Sequence, residues 1–267
     1  MFKNLFRISC TRKLRMIHKQ YYIIRSGDFA RNANKKISYS IFSLGLCLDD
    51  YVNRGSIDCF SIMMGSSCTW IAIELFLNIT KTRIIKPMHM CIYGNQVKIP
   101  KYMGIVLQGI QEGGVVTTFG LYFGDRLKEL KYLFTLHLFA GYIATSVLLK
   151  KRGAKNAAIS SKRQVNTYSS VLTMACATMY NVYMLYIYPD DTRRQLNMLF
   201  VMIYVSSIWT IASHLQNHRR VCVEKIDDNV TISNNGSRTT TAVVLGYDVL
   251  FEIGVAYLTF YNLFVRS

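Results

Sequence analysis

The sequence predicts an all-α protein, a polytopic transmembrane helix bundle of seven crossings (six long spans and one short) with its N-terminus cytosolic. Three observations lead there. Six stretches, 57–79, 102–124, 132–149, 167–189, 195–217 and 241–265, contain no lysine or arginine and together make up about half of the 267 residues. At about 1.5 Å per residue, each crosses or nearly crosses a hydrocarbon core of about 30 Å. The three prolines, Pro87, Pro100 and Pro189, fall between or at the ends of these stretches, where a helix-limiting residue belongs. The chain is 51% hydrophobic with a mean hydropathy of +0.19, in apolar runs longer than a soluble amphipathic domain would show.

Residues 1–36 read as a basic tail, with Asp28 its one acid. No uninterrupted apolar core marks a cleaved secretory signal, and a cytosolic tail lying on acidic lipid is the preferred reading. A mitochondrial presequence is the alternative. The expected location is therefore the endomembrane or plasma membrane, with the mitochondrial inner membrane as the alternative. Residues 37–267 then form the bundle as one domain.

Ser38–Leu48 is an apolar run too short to span a bilayer as an ordinary helix. The loops give it weight. Loop 80–101 has five bases and no acid, loop 150–166 has six and none, and loop 218–240 has four bases against three acids. The intervening connections, around Asp125–Lys131 and Asp190–Arg194, are nearly neutral. The positive-inside bias places the first, third and fifth connections in the cytosol. Six spans would then export the basic tail, whereas a short or tilted crossing over 38–55 brings it inside. Under that topology the sequons at Asn229 and Asn235 face the cytosol and stay unused; six crossings would make them luminal.

The formal net charge of +17 lies wholly in tails and loops, which fits contact with the lipid bilayer and its anionic lipid headgroups. Nucleic acid is not an expected partner, because no recognition motif accompanies the charge. Seven cysteines form no CxxC pair and no zinc spacing. His214 and His218 share an HxxxH spacing, but the remaining histidines cannot complete a metal site, so neither metal nor cofactor is expected.

Chemistry is expected where charge enters the spans. Asp58, Glu74, Glu112, Asp248 and Glu252 are enclosed with no base inside any span. Gln108 and Glu112 lie one turn apart on a glycine-rich span. Its pairs Gly109/Gly113 and Gly120/Gly124 offer flat faces for close helix packing, and Gly113→Leu is expected to destabilise more than Gly104→Leu. Asp248 and Glu252, at i and i+4, lead a stripe through Val255, Thr259 and Asn262, and repel unless a cation sits between them. His137, inside the third long span, could complete a polar core with Glu74, Glu112 and Glu252. These residues, Glu74, Gln108, Glu112, His137, Asp248 and Glu252, are the candidate ion or ligand site.

Three functions follow. The first is a proton or cation channel or transporter using the enclosed acids. The second is a membrane-embedded enzyme or lipid-binding protein that applies a carboxylate pair such as Glu112 and Glu252 to an apolar ligand. The third is a structural or assembly subunit docked through its glycine faces in a homo-oligomer or larger membrane complex. If the acids serve function alone, Glu→Gln at 112 and 252 should leave the fold intact or firmer.

Overall fold

The computed structural model describes residues 18–26, 31–153, 159–227 and 230–266. In chain order it runs β1 (His18–Ser26), α1 (Ala33–Arg54), α2 (Asp58–Ile79), β2 (Arg83–Ile85), β3 (His89–Ile92), β4 (Asn95–Lys98) and α3 (101–124). There follow α4 (Leu130–Leu148), β5 (Ile159–Gln164), α5 (Tyr168–Ile187), α6 (Thr192–Leu215), β6 (Arg219–Asp227), β7 (Val230–Asn235) and α7 (Arg238–Phe264). Four of these helices are long and apolar enough to cross a membrane: α2, α5, α6 with its leading turn (Pro189–Leu215), and α7.

The protein is mostly helical but not all-α. The strands that precede α1 and link alternate helices form a five-stranded antiparallel sheet in the order β2-β5-β1-β6-β7. A hairpin, β3-β4, stands beside it. The sheet gathers the segment before α1 and the α2–α3, α4–α5 and α6–α7 connections at one end of the bundle. β1 lies at its centre, so residues 18–26 of the expected tail belong to the sheet, and residue 36 lies inside α1. Residues 1–17 and 27–30 lie outside the described residues, as does the sequon residue Asn229; Asn235 ends β7 opposite Cys222.

The short run at 38–48 is the middle of a 22-residue helix, long enough to cover about 33 Å. Its apolar count is low because its charges turn inward. Ile41, Leu44, Leu48 and Val52 are exposed, whereas Lys36, Ser43, Cys47 and Asp50 are buried. Asn32 caps its start by accepting from the Lys35 amide. Gly55 ends it at φ +65°, a left-handed conformation that its missing Cβ permits.

The glycines of α3 set the centre of the bundle. A Cβ on Gly109 would lie 2.8 Å from the Ile71 backbone, and one on Gly113 would lie 2.5 Å from the Ser66 carbonyl oxygen. That pair therefore seats α2. The second pair faces α6: Gly120 meets the Met202 side chain, and a Cβ on Gly124 would come 2.8 Å from the Met198 amide nitrogen. Both faces are filled within the chain, and neither remains open for docking a partner. The core around them joins Cys47, Ile62, Trp70, Phe119, Leu136, Met198, Met202 and Tyr257.

At the end away from the sheet, charges near the helix termini pair among themselves. Arg194 holds Asp58 at 2.7 Å and Asp125 at 2.8 Å, and Arg126 holds the buried Asp50 at 2.6 Å.

Candidate functional site

Register explains how the sheet meets the bundle. Along a strand, alternate residues share a face. Arg83 lies opposite Arg163, Arg163 opposite Ile23, and Ile23 opposite Val221; two residues along, Arg25 lies opposite Arg219. Arg25, Arg83, Arg163 and Arg219 therefore share one face with Ile23 and Val221. Like charges directly opposite weaken a strand pair. Here all four arginines meet carboxylates of the bundle.

Glu74, fully buried on α2, pairs with Arg83. The same guanidinium reaches both Glu112 oxygens at 2.8 and 2.9 Å, and Arg25 reaches Glu112 at 2.8 Å. Trp70 Nε1 and the Gln108 amide also donate to Glu112. On the other side Arg163 bridges Asp248 and Glu252, the latter at 2.5 Å, and Arg219 pairs with Asp248. The cation required between Asp248 and Glu252 is thus Arg163. The four arginines match the four carboxylates in number. The Trp209 ring lies between the halves, with the Arg25 and Arg219 guanidiniums 5.4 and 5.0 Å from its centroid.

Charges on the strands respond accordingly. Burial disfavours the charged forms of Arg83 and Arg163, but the carboxylates outweigh it and both pKa values rise above the ordinary arginine value. For Arg219 burial prevails over Asp248 and the direction is downward. Burial, reinforced by Lys150, also lowers the His218 pKa.

Two of the three acid-bearing segments are π-helical: Ile110–Val115 carries Glu112, and Asp248–Val255 carries Asp248 and Glu252, whereas Glu74 lies in the α-helical α2. Such wide turns often occur at functional sites. Beside them lies a cavity of about 200 Å³ between α1, α3, α4, α6 and α7. Its lining changes along the helices. On α1 it passes from Lys35 and Lys36 to Phe42, on α3 from Gln111 and Glu112 to Val116 and Phe119, and on α7 from Asp248 and Glu252 to Ile253 and Tyr257. Polar members stand on the sheet side; apolar ones lie deeper. Phe139 of α4 completes the deep wall, its ring centroid 4.6 Å from Phe119 and 5.5 Å from Phe42.

Of the candidate residues, Glu112, Asp248 and Glu252 line this cavity, with Gln108 and Glu74 directly behind Glu112. His137 does not join them. It is exposed on α4, where its Nδ1 lies 2.7 Å from the Leu133 carbonyl oxygen and its ring faces Tyr204. The polar stripe beyond Glu252 is a hydrogen-bond chain in which Asn181 donates to the Val255 carbonyl at 2.6 Å and Asn262 donates to Asn181 at 3.1 Å. Sequence reasoning missed the cations. Arg25, Lys36, Arg83, Arg163 and Arg219 counted only as loop or tail charge, although alternation such as Tyr21-x-Ile23-x-Arg25 and Arg219-x-Val221-x-Val223 marked strands. Among the described residues, no three His, Cys, Asp or Glu side chains group as a metal site would require.

No family model matches the chain, and neither a curated protein nor a solved structure is similar to it, so the reading of the site rests on its own residues.

Proposed function

We propose that the chain is an integral membrane protein that binds an amphipathic, lipid-like ligand in the cavity beneath the sheet. The observation that carries this is the graded lining: charged at the sheet side and aromatic or aliphatic deeper, where a hydrocarbon chain loses water and gains packing. The four carboxylates support it over a cation path. Each already holds an arginine, which a passing cation would have to displace. Glu112 and Glu252, the pair expected to act on an apolar ligand, both border the space such a ligand would fill.

The chain's two tryptophans, Trp70 and Trp209, both line this cavity and report its occupancy. A brominated-chain alkyl glucoside added to protein in nanodiscs should quench their fluorescence saturably, at one molecule per chain. Val116→Phe, which fills the apolar end, should abolish the saturable part. Linear quenching that is equal in both proteins would contradict the reading.

In this reading all seven helices cross, α1 included, and the sheet lies on the cytosolic side with the basic connections. Arg152 and Lys128 are exposed at opposite ends of α4. In a background lacking Cys10, Cys68, Cys91 and Cys176, Lys128→Cys should label from outside intact cells and Arg152→Cys only after permeabilisation. Labelling of both from one side would overturn the topology.

A further inference from the structure

We propose that the charged end of the cavity takes an oxyanion of phosphate type, held by Lys36 and Lys35 with Arg25 beside them. This rests on the cavity being an amphiphile site. With the four arginines balanced by four carboxylates, the two lysines on the cavity wall remain in surplus. Lys36 is only 5% exposed, and its Nζ donates to the Gln108 and Gln111 side-chain oxygens at 2.6 and 2.5 Å. Among the described residues it forms no ion pair. Its direct partners are amides alone, and the carboxylate that acts on it from nearby, Glu112, is already shared by Arg25 and Arg83, so its charge is only partly offset.

Lys35, one residue earlier on the same wall, faces Lys150, whose pKa is pushed down to about 8 by burial and then by Lys35 itself. Cationic charge thus accumulates where α1 begins, and the positive end of the helix dipole adds to it. Arg25 and Glu112 still expose 20% and 16% of their side chains there, so the floor is reachable. A phosphate presents several oxygens to separate donors, which suits two ammoniums and a guanidinium better than a single-point acceptor would. The Asp and Glu side chains lining the cavity attract a cationic headgroup only weakly, because arginine already neutralises them. The lysines decide the sign.

The test uses full-length protein in zwitterionic nanodiscs and the fluorescence of Trp70 and Trp209. Brominated chains of equal length carry a phosphate, a trimethylammonium or a glucoside headgroup. The alkyl phosphate should bind about tenfold tighter than the other two. Lys36→Gln should bring the phosphate affinity down to that of the glucoside, with an unchanged circular-dichroism spectrum showing that the variant folds. Lys36→Arg should keep the preference, and Lys35→Gln should reduce it. Displacement of the alkyl phosphate by inorganic phosphate at equal affinity would support the oxyanion site but make a free anion its source. Equal affinity for all three headgroups, or a phosphate preference that survives both Lys→Gln changes, would overturn the proposal while leaving the amphiphile cavity standing. If none of the three chains quenches, both readings fall together.

Discussion

Arg83→Gln should lower stability by about 3–5 kcal/mol, the range for breaking a buried ion pair from one side. Arg83 is 3% exposed and is the only base paired with Glu74, which is fully buried, among the described residues. The change strands Glu74 and takes two hydrogen bonds from Glu112, although Arg25 continues to hold the latter. A thermal midpoint lower by on the order of 10 °C is the corresponding readout in purified protein. Adding Glu74→Gln should recover part of the loss, because the double variant buries two neutral amides instead of one unpaired carboxylate. Strict additivity of the two changes would show that they do not interact. The same reasoning reverses the sign expected for Glu112→Gln from sequence alone. That expectation treated the carboxylate as lacking a counter-ion inside the bundle. With Arg83 and Arg25 upon it, neutralisation leaves buried guanidinium charge uncompensated and should destabilise.

Gly113→Ala should cost about 3 kcal/mol, the upper end of overpacking, because the added Cβ would sit 2.5 Å from the Ser66 carbonyl oxygen. The obstacle is backbone, so α2 as a whole must move away from α3. Its departure would also disturb Trp70 and the Glu74 pair. Gly104→Ala is the control: its Cβ would meet only the flexible Met88 side chain, at 3.4 Å or more. There the better helix propensity of alanine should leave stability unchanged or raised. Equal losses at the two sites would refute α3 as the close-packed centre.

How much the sequence revealed depended on what each pattern encodes. Long apolar runs found six helices near their observed limits, and the spacing of Asp248, Glu252, Thr259 and Asn262 marked an inward stripe. The glycine pairs identified faces but not their partners, since GxxxG says that something sits close and not what. The sheet was overlooked because its strands mix arginine with valine and isoleucine. Summed over a loop, that mixture reads as basic linker; taken at period two, it places Ile23 and Arg25 on one face with Arg219 and Val221. The same averaging shortened α1, whose Lys36 and Asp50 are buried against Gln108 and Arg126 while its apolar side is exposed. His137 was misplaced because α4 is apolar nearly all round, and hydropathy cannot say which side of such a helix faces its neighbours. The π-helical turns at Glu112 and Asp248 carry no local signature that propensity or periodicity would reveal.

Native mass spectrometry of the protein extracted with its own membrane lipids tests the central claim most directly, since it needs no added probe. The expected result is a single amphiphile per chain that survives detergent removal from the wild type and is missing from Val116→Phe. Retention of the same adduct by both proteins, or a wild type released bare under conditions that keep it folded, would contradict a ligand seated between Phe119, Phe139 and the arginine face of the sheet.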